Sequence, residues 1–195
     1  MERKCEVRKR RLGLGLCALV ALATAVPAAY AAEHAYVGAK KCKMCHLKEY
    51  NSWAETKMAK AFELLKPGVA AEAKKAAKLD PSKDYTTDAT CVACHVTGHG
   101  KPGGFVDVAT TPDLAGVGCE MCHGPGGTYL GKQYMSLQNK EYKKAELVAV
   151  GMVGEITKDT CAACHNSKSP FFKDFNFEQR VKEGTHEKFP LKYPH

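Results

Sequence analysis

No hydrophobic run in this sequence is comfortably long enough to span a bilayer. The apolar stretch "LGLGLCALVALATAV" (12–26) falls short of the ~20 residues that a spanning helix needs. It follows the basic start "MERKCEVRKRR" and precedes a small-residue site at Ala29-Tyr30-Ala31. A basic start, a short apolar core and an Ala-x-Ala site form the pattern of a secretory signal peptide. Residues 1–31 are therefore read as a cleaved signal, and residues 32–195 as one exported domain with no stable membrane insertion. A retained anchor is the alternative, although the leucine before Cys17 makes "LGLC" a poor lipobox.

A strong excess of positive charge is also lacking. The leader removes six basic and two acidic side chains, so the formal charge falls from +8 to +4. The remaining lysines are spread along the chain as a solvated surface. This gives no argument for nucleic acid as a partner.

Cysteine is scarce in a third sense: beyond Cys5 and Cys17 in the leader, none is left over. The other eight fall into "CKMCH" (42–46), "CVACH" (91–95), "CEMCH" (119–123) and "CAACH" (161–165). Structural zinc would use Cys-x-x-Cys pairs, and disulfides would suit an exported chain. Neither needs a histidine directly after the second cysteine four times over. Covalent attachment of c-type haem does. Two thiols add to the vinyl groups of the macrocycle and the adjacent imidazole reaches the iron. Cys42, Cys45, Cys91, Cys94, Cys119, Cys122, Cys161 and Cys164 are thus expected to hold four haem c groups. His46, His95, His123 and His165 are expected to bind their irons.

Four haems leave about 41 residues each in the exported part, too few for an ordinary core around every one. The predicted class is mainly α, a multihaem cytochrome c fold of short helices and long loops wrapped around four closely packed haems. "HLKEYNSWAETKMAKAFELL" (46–65) predicts a helix with Tyr50, Ala54, Met58, Phe62 and Leu65 on one face. "VAAEAKKAAKL" (69–79) predicts a second. "TGHGKPGGF" (97–105) predicts a tight loop that brings backbone close to a flat cofactor. Thr111 and Pro112 read as a helix start, and "NFEQRVKEG" (176–184) as a last short helix stopped by Gly184. Motif spacings of 49, 28 and 42 residues exclude a uniform solenoid.

Spare histidines are the last shortage. Four motif histidines leave only His34, His99, His186 and His195 for the opposite iron faces. His34 and His195 read as exposed ends, so at least one iron should take methionine or stay open. Methionine raises a haem potential, whereas an open face admits small molecules. Met58, Met135 and Met152 are the methionines outside the motifs. Trp53 reads as packing. His99, in the glycine-rich loop, faces solvent, binds a haem propionate or donates protons above an open haem; the first two are favoured.

"KLDPSKDYTTDATCVACHVTGHGKPGGF" and "GVGCEMCHGPGG" resemble the tetrahaem cytochrome c-554 family, whose best-known member accepts electrons from hydroxylamine oxidoreductase. The resemblance runs from about Gly38 to His186 and includes every attachment site. It implies a mainly helical protein with haems in stacked pairs. Three irons would be bis-histidine and the second, on His95, open. It also implies that His186 in "GTHEKF" serves the fourth haem. The third haem's histidine position falls on Met58, and the first haem's on Gln133, with Met135 two residues later. Met58 and Met135 are therefore candidate ligands, and Met152 reads as packing.

The function expected is electron transfer in the periplasm, between donor and acceptor cytochromes or a multihaem oxidoreductase. The alternative is reduction of nitric oxide or a related small nitrogen compound at an open haem on His95.

Overall fold

The computed structural model describes residues 34–183, 185–191 and 193. The 1–31 leader, Gly184 as a helix stop and His195 lie outside the described residues. Short helices dominate: α1 (Ala39–Lys43), α2 (Leu47–Ala54), α3 (Ala71–Ala76), α4 (Ala89–His95), α5 (Glu120–His123), α6 (Lys144–Ala149), α7 (Lys158–Ala162) and α8 (Phe177–Glu183). Two 3-10 turns, Phe62–Leu65 and Pro112–Leu114, join them. Extended pairing among the described residues is limited to isolated antiparallel bridges, Val96 with Ala115 and Ser136 with Asn139.

The helix expected over 46–65 is broken. α2 ends at Ala54, and a run of turns leads to the 3-10 turn at Phe62. Local competition explains the stop: the Thr56 hydroxyl donates to the Trp53 carbonyl at 2.7 Å and accepts from Ala59 N–H at 3.3 Å. The carbonyls beyond it are also used elsewhere. Met58 O accepts from Val117 N–H at 2.9 Å, and Ala61 O faces His95 Nδ1 at 2.6 Å. Gly116 lies so close to the Ala59 carbonyl that any side chain there would collide with it. Trp53 packs as expected, with its Nε1–H donating to Val117 O at 3.0 Å.

The second predicted helix shortens to α3, with left-handed residues at Ala70 and Lys78 on either side. Buried Lys74 donates to Lys66 O at 2.7 Å and lies over the Tyr85 ring. α8 matches its expected span to within a residue at each end. Thr111 does not cap the turn after it. Its hydroxyl donates back to Asp107 O and accepts from Val106 N–H, both at 2.9 Å.

Two apolar clusters form the side-chain core. Phe62, Leu65, Tyr85, Val92, Val96, Phe105 and Leu114 surround the second motif. Tyr129, Tyr142 and Leu147, with Met135 and Met152 against them, make the other. The glycine-rich loop closes mainly on itself, since Phe105 N–H donates to Thr97 O and a side chain at Gly104 would strike the Gly98 carbonyl. Gly98 (φ 72°) faces the Tyr36 ring, leaving no room for a β-carbon.

Candidate haem-binding sites

A helical turn accounts for the spacing of each motif. His46 N–H donates to Cys42 O at 2.8 Å, and both His123 to Cys119 and His165 to Cys161 do so at 2.9 Å. The second motif lies inside α4. Residues three and four apart share one face of a helix, so two sulfurs and an imidazole come together on one side. α4 starts at Asp88, which accepts from Thr90 N–H at 3.1 Å. No cysteine is in a disulfide: all eight in the described residues are free thiols, available for thioether formation.

The motifs influence one another. The Cys42 thiol is pushed far up, by Cys119 first and then by burial, while Cys42 lowers that of Cys119. Burial first and then Cys161 raise Cys122, and burial first and then Cys94 push Cys164 up to about 12. The second and third motifs also touch through their flanks: Gly98 N–H donates to Met121 Sδ at 3.3 Å, and Gly118 N–H to Thr97 Oγ1 at 2.9 Å. All these thiols belong to the chain before haem attachment.

The ligand histidines are posed for metal. At 2.6 Å from Ala61 O, His95 Nδ1 can donate to that carbonyl, which leaves Nε2 as the metal-facing nitrogen. The same logic holds at His186, whose Nδ1 lies 2.7 Å from Glu187 O. Glu187 N–H is tied in turn to Ser52 Oγ at 2.8 Å. The ring centroids of His123 and His186 are 6.4 Å apart, with the planes inclined at 40°. That spacing leaves room for an iron held by both imidazoles, which would supply the reversible one-electron chemistry. His123 is held below its ordinary pKa by burial first, then by His186 and His46, which keeps its imidazole neutral as a ligand must be.

The resemblance implies that His186 serves the fourth haem; in the structure its ring lies 6.4 Å from that of His123 of the third motif. Beside His165 of the fourth lies Phe175 instead, stacked at 4.4 Å with its plane tilted 20°.

Other expected residues divide. Met58 is half-buried, its carbonyl holding Val117. Met135 is half-buried against the Tyr129 cluster. Gln133 is exposed and lines a cavity of about 460 Å³ together with His34, Thr128 and Tyr134. His34 is not an exposed end: it is half-buried, with Nδ1 at 3.2 Å from Thr128 Oγ1. Solvent does not fully surround His99 either. Its Nδ1 is buried without a hydrogen-bond partner, a situation that in native proteins signals an absent group.

Glu120, absent from the expected site, lies inside the third motif with 3 % exposure. Its Oε1 accepts from Val37 N–H (2.9 Å) and Gly126 N–H (2.7 Å), and its Oε2 from Gly38 N–H (2.8 Å) and Val37 N–H (3.1 Å). One carboxylate thereby ties the segment before the first motif to the loop after the third. The sequence signal was present: it is the one acidic residue between the cysteines of any of the four motifs.

Four Cys-x-x-Cys-His turns packed edge to edge in a mainly helical chain define a multihaem cytochrome of the c type. A family profile described as "Cytochrome c554 and c-prime" matches residues 41–124. Cytochrome c-554 of Nitrosomonas europaea is 38% identical, over 94% of this chain and 88% of that protein. The solved reduced state of cytochrome c554 from the same organism superposes with a TM-score of 0.71 at 37% identity, covering 82% of this chain and 88% of that one. This chain belongs to the cytochrome c554 family. It is an electron-transfer protein that carries four haem c groups. No helix among the described residues is long and apolar enough to cross a membrane.

Proposed function

We propose that this chain is a periplasmic relay in which electrons pass along the sites in the order first, third, fourth, second. The order is supported by which thiols act on which: Cys119 on Cys42, Cys161 on Cys122, and Cys94 on Cys164. Electrons enter or leave at the first site and at the second, which form the two ends. Periplasmic location rests on the leader at 1–31 and on the fact that c-type haem is attached outside the cytoplasm.

The end at the first site is basic. Lys40, Lys41 and Lys43 sit on α1, with Lys48 on α2 close by. Among the described residues, only Lys40 of these pairs with a carboxylate, that of Asp113 at 2.6 Å. Lysines around an exposed redox edge steer an acidic partner face into fast, weak encounter. The redox partner at this end is therefore an acidic protein.

His46, His95, His123 and His165 are the iron ligands carried by the motifs, and His186 is the second ligand of the His123 haem. Met58 remains a candidate distal ligand; its carbonyl holds Val117, two residues before Cys119 of the third motif. Met135 stays the candidate for the first. When bound, the haem groups supply the reversible one-electron chemistry. The chain's own work is to fix the imidazoles through Ala61 O and Glu187 O and to hold neighbouring edges together.

The test is a rapid-mixing experiment on the oxidised holoprotein with less than one equivalent of a reduced small cytochrome. The electron should spread over the haems in proportion to their potentials before a second encounter. A haem that exchanges electrons only through further encounters with the donor would contradict the relay.

A further inference from the structure

Burying a charge is costly unless something answers it. Glu120 is buried, and both of its oxygens accept backbone N–H groups, four contacts in all between 2.7 and 3.1 Å. A protonated carboxyl would point a donor at one of those donors, so the arrangement requires the ionised form. Among the described residues, no lysine or arginine pairs with it. The peptide N–H groups answer the charge in part, but they are dipoles and leave its net value in place.

Its position is specific. Glu120 follows Cys119 directly, and its two oxygens grip the segment that leads into the first motif at Cys42. The charge acts on the thiols of both Cys42 and Cys119, and on the phenols of Tyr36 and Tyr129 beside them. These two cysteines belong to the first and third haem sites. A ferric haem carries one more positive charge than a ferrous one, so a fixed anion nearby favours the oxidised state.

We propose that the ionised Glu120 carboxylate is the shared counter-charge of the first and third haems, holding both at lower potential than they would otherwise have. Neither the Cys91 nor the Cys161 motif bonds to this carboxylate, and on this proposal the second and fourth haems are not tuned by it. Glu120 is thus a positioning residue with a second effect: it biases electrons away from the basic end of the relay and toward the other. This rests on the order of sites proposed above.

The test is a potentiometric titration of the holoprotein and of Glu120→Gln, with the haems resolved by low-temperature electron paramagnetic resonance. The expected result is an upward shift for the first and third haems, with the second and fourth unmoved. Equal shifts in all four haems, or none, would overturn the proposal. The glutamine amide presents a donor to backbone donors, which disfavours assembly of this variant. A second measurement needs no variant. Redox-difference infrared spectra of wild-type protein with ¹³C-labelled glutamate should show a carboxylate band that moves as the first and third haems are reduced. A band that stays fixed during those steps, or that moves only with the second or fourth haem, would equally overturn it. Potentials that shift as expected while electrons spread in a different order would sink the relay order and leave the counter-charge standing.

Discussion

Between Phe62 and Leu114 the chain packs seven buried hydrophobic residues into one cluster around the second motif. From Gly151 to Leu191, a stretch that carries the fourth motif, no described residue is buried. The second stretch is not short of apolar side chains. Phe171, Phe172, Val181 and Leu191 are there, with 47, 41, 41 and 51% of their surfaces exposed. Around the second motif the protein builds its own core and the haem joins it. Around the fourth it builds none among the described residues, and a haem attached at Cys161 and Cys164 would supply the apolar surface against which that stretch packs.

The strongest way to break this contrast is to remove the fourth haem. In Cys161→Ala/Cys164→Ala, amide protons over 151–191 should lose essentially all protection from hydrogen exchange, while those over 62–114 keep theirs. Equal loss in both regions would show that the first stretch also depends on haem for its order.

A smaller effect comes from the side-chain core. Phe62 is 4 % exposed and its ring lies 5.6 Å from that of Phe105. Phe62→Ala should cost about 3–5 kcal/mol in denaturant unfolding. Phe172→Ala should cost much less, because so much of that ring is already in water.

The smallest effect concerns acid. Asp80, Asp84 and Asp88 each accept from a hydroxyl two residues on, at 2.6 Å from Ser82, Thr86 and Thr90. Those hydroxyls first, and the backbone N–H groups of the same residues second, hold the three carboxyls below their ordinary range. A depressed carboxylate contributes its stability above the unfolded value and loses it as pH falls through the folded one. The contribution of these three carboxylates should thus be flat from neutrality down to the ordinary carboxylate range and decline only below it. Replacing Ser82, Thr86 and Thr90 by alanine should lessen that decline slightly, and a denaturation series against pH reads it.

What could be read from the sequence follows the same divide. Local chemistry was legible: each Cys-x-x-Cys-His motif forms its helical turn, and α8 falls within a residue of its expected bounds. The family resemblance pointed to His186. Its neighbourhood in space was not legible, because the fold brings the segment around Ser52 and Glu187 together over a separation that no periodicity records. The long helix over 46–65 failed for a related reason. Its helical pattern is real, but the carbonyls of Met58 and Ala61 are shared: they accept from Ala61 and Leu64 N–H in tight i→i+3 turns, while also meeting Val117 N–H and His95 Nδ1. Glu120 shows the opposite case, where one unusual residue in a motif stood in view and its three backbone partners did not.

The account's central claim is the order of the sites, and iron positions test it most directly. Anomalous diffraction at the iron edge from crystals of the holoprotein would locate all four irons and, through the thioethers, assign each to its motif. The account predicts an open row with the third and fourth haems adjacent in the middle, the first beside the third and the second beside the fourth. A second haem lying next to the first, or a third and fourth held apart, would contradict it.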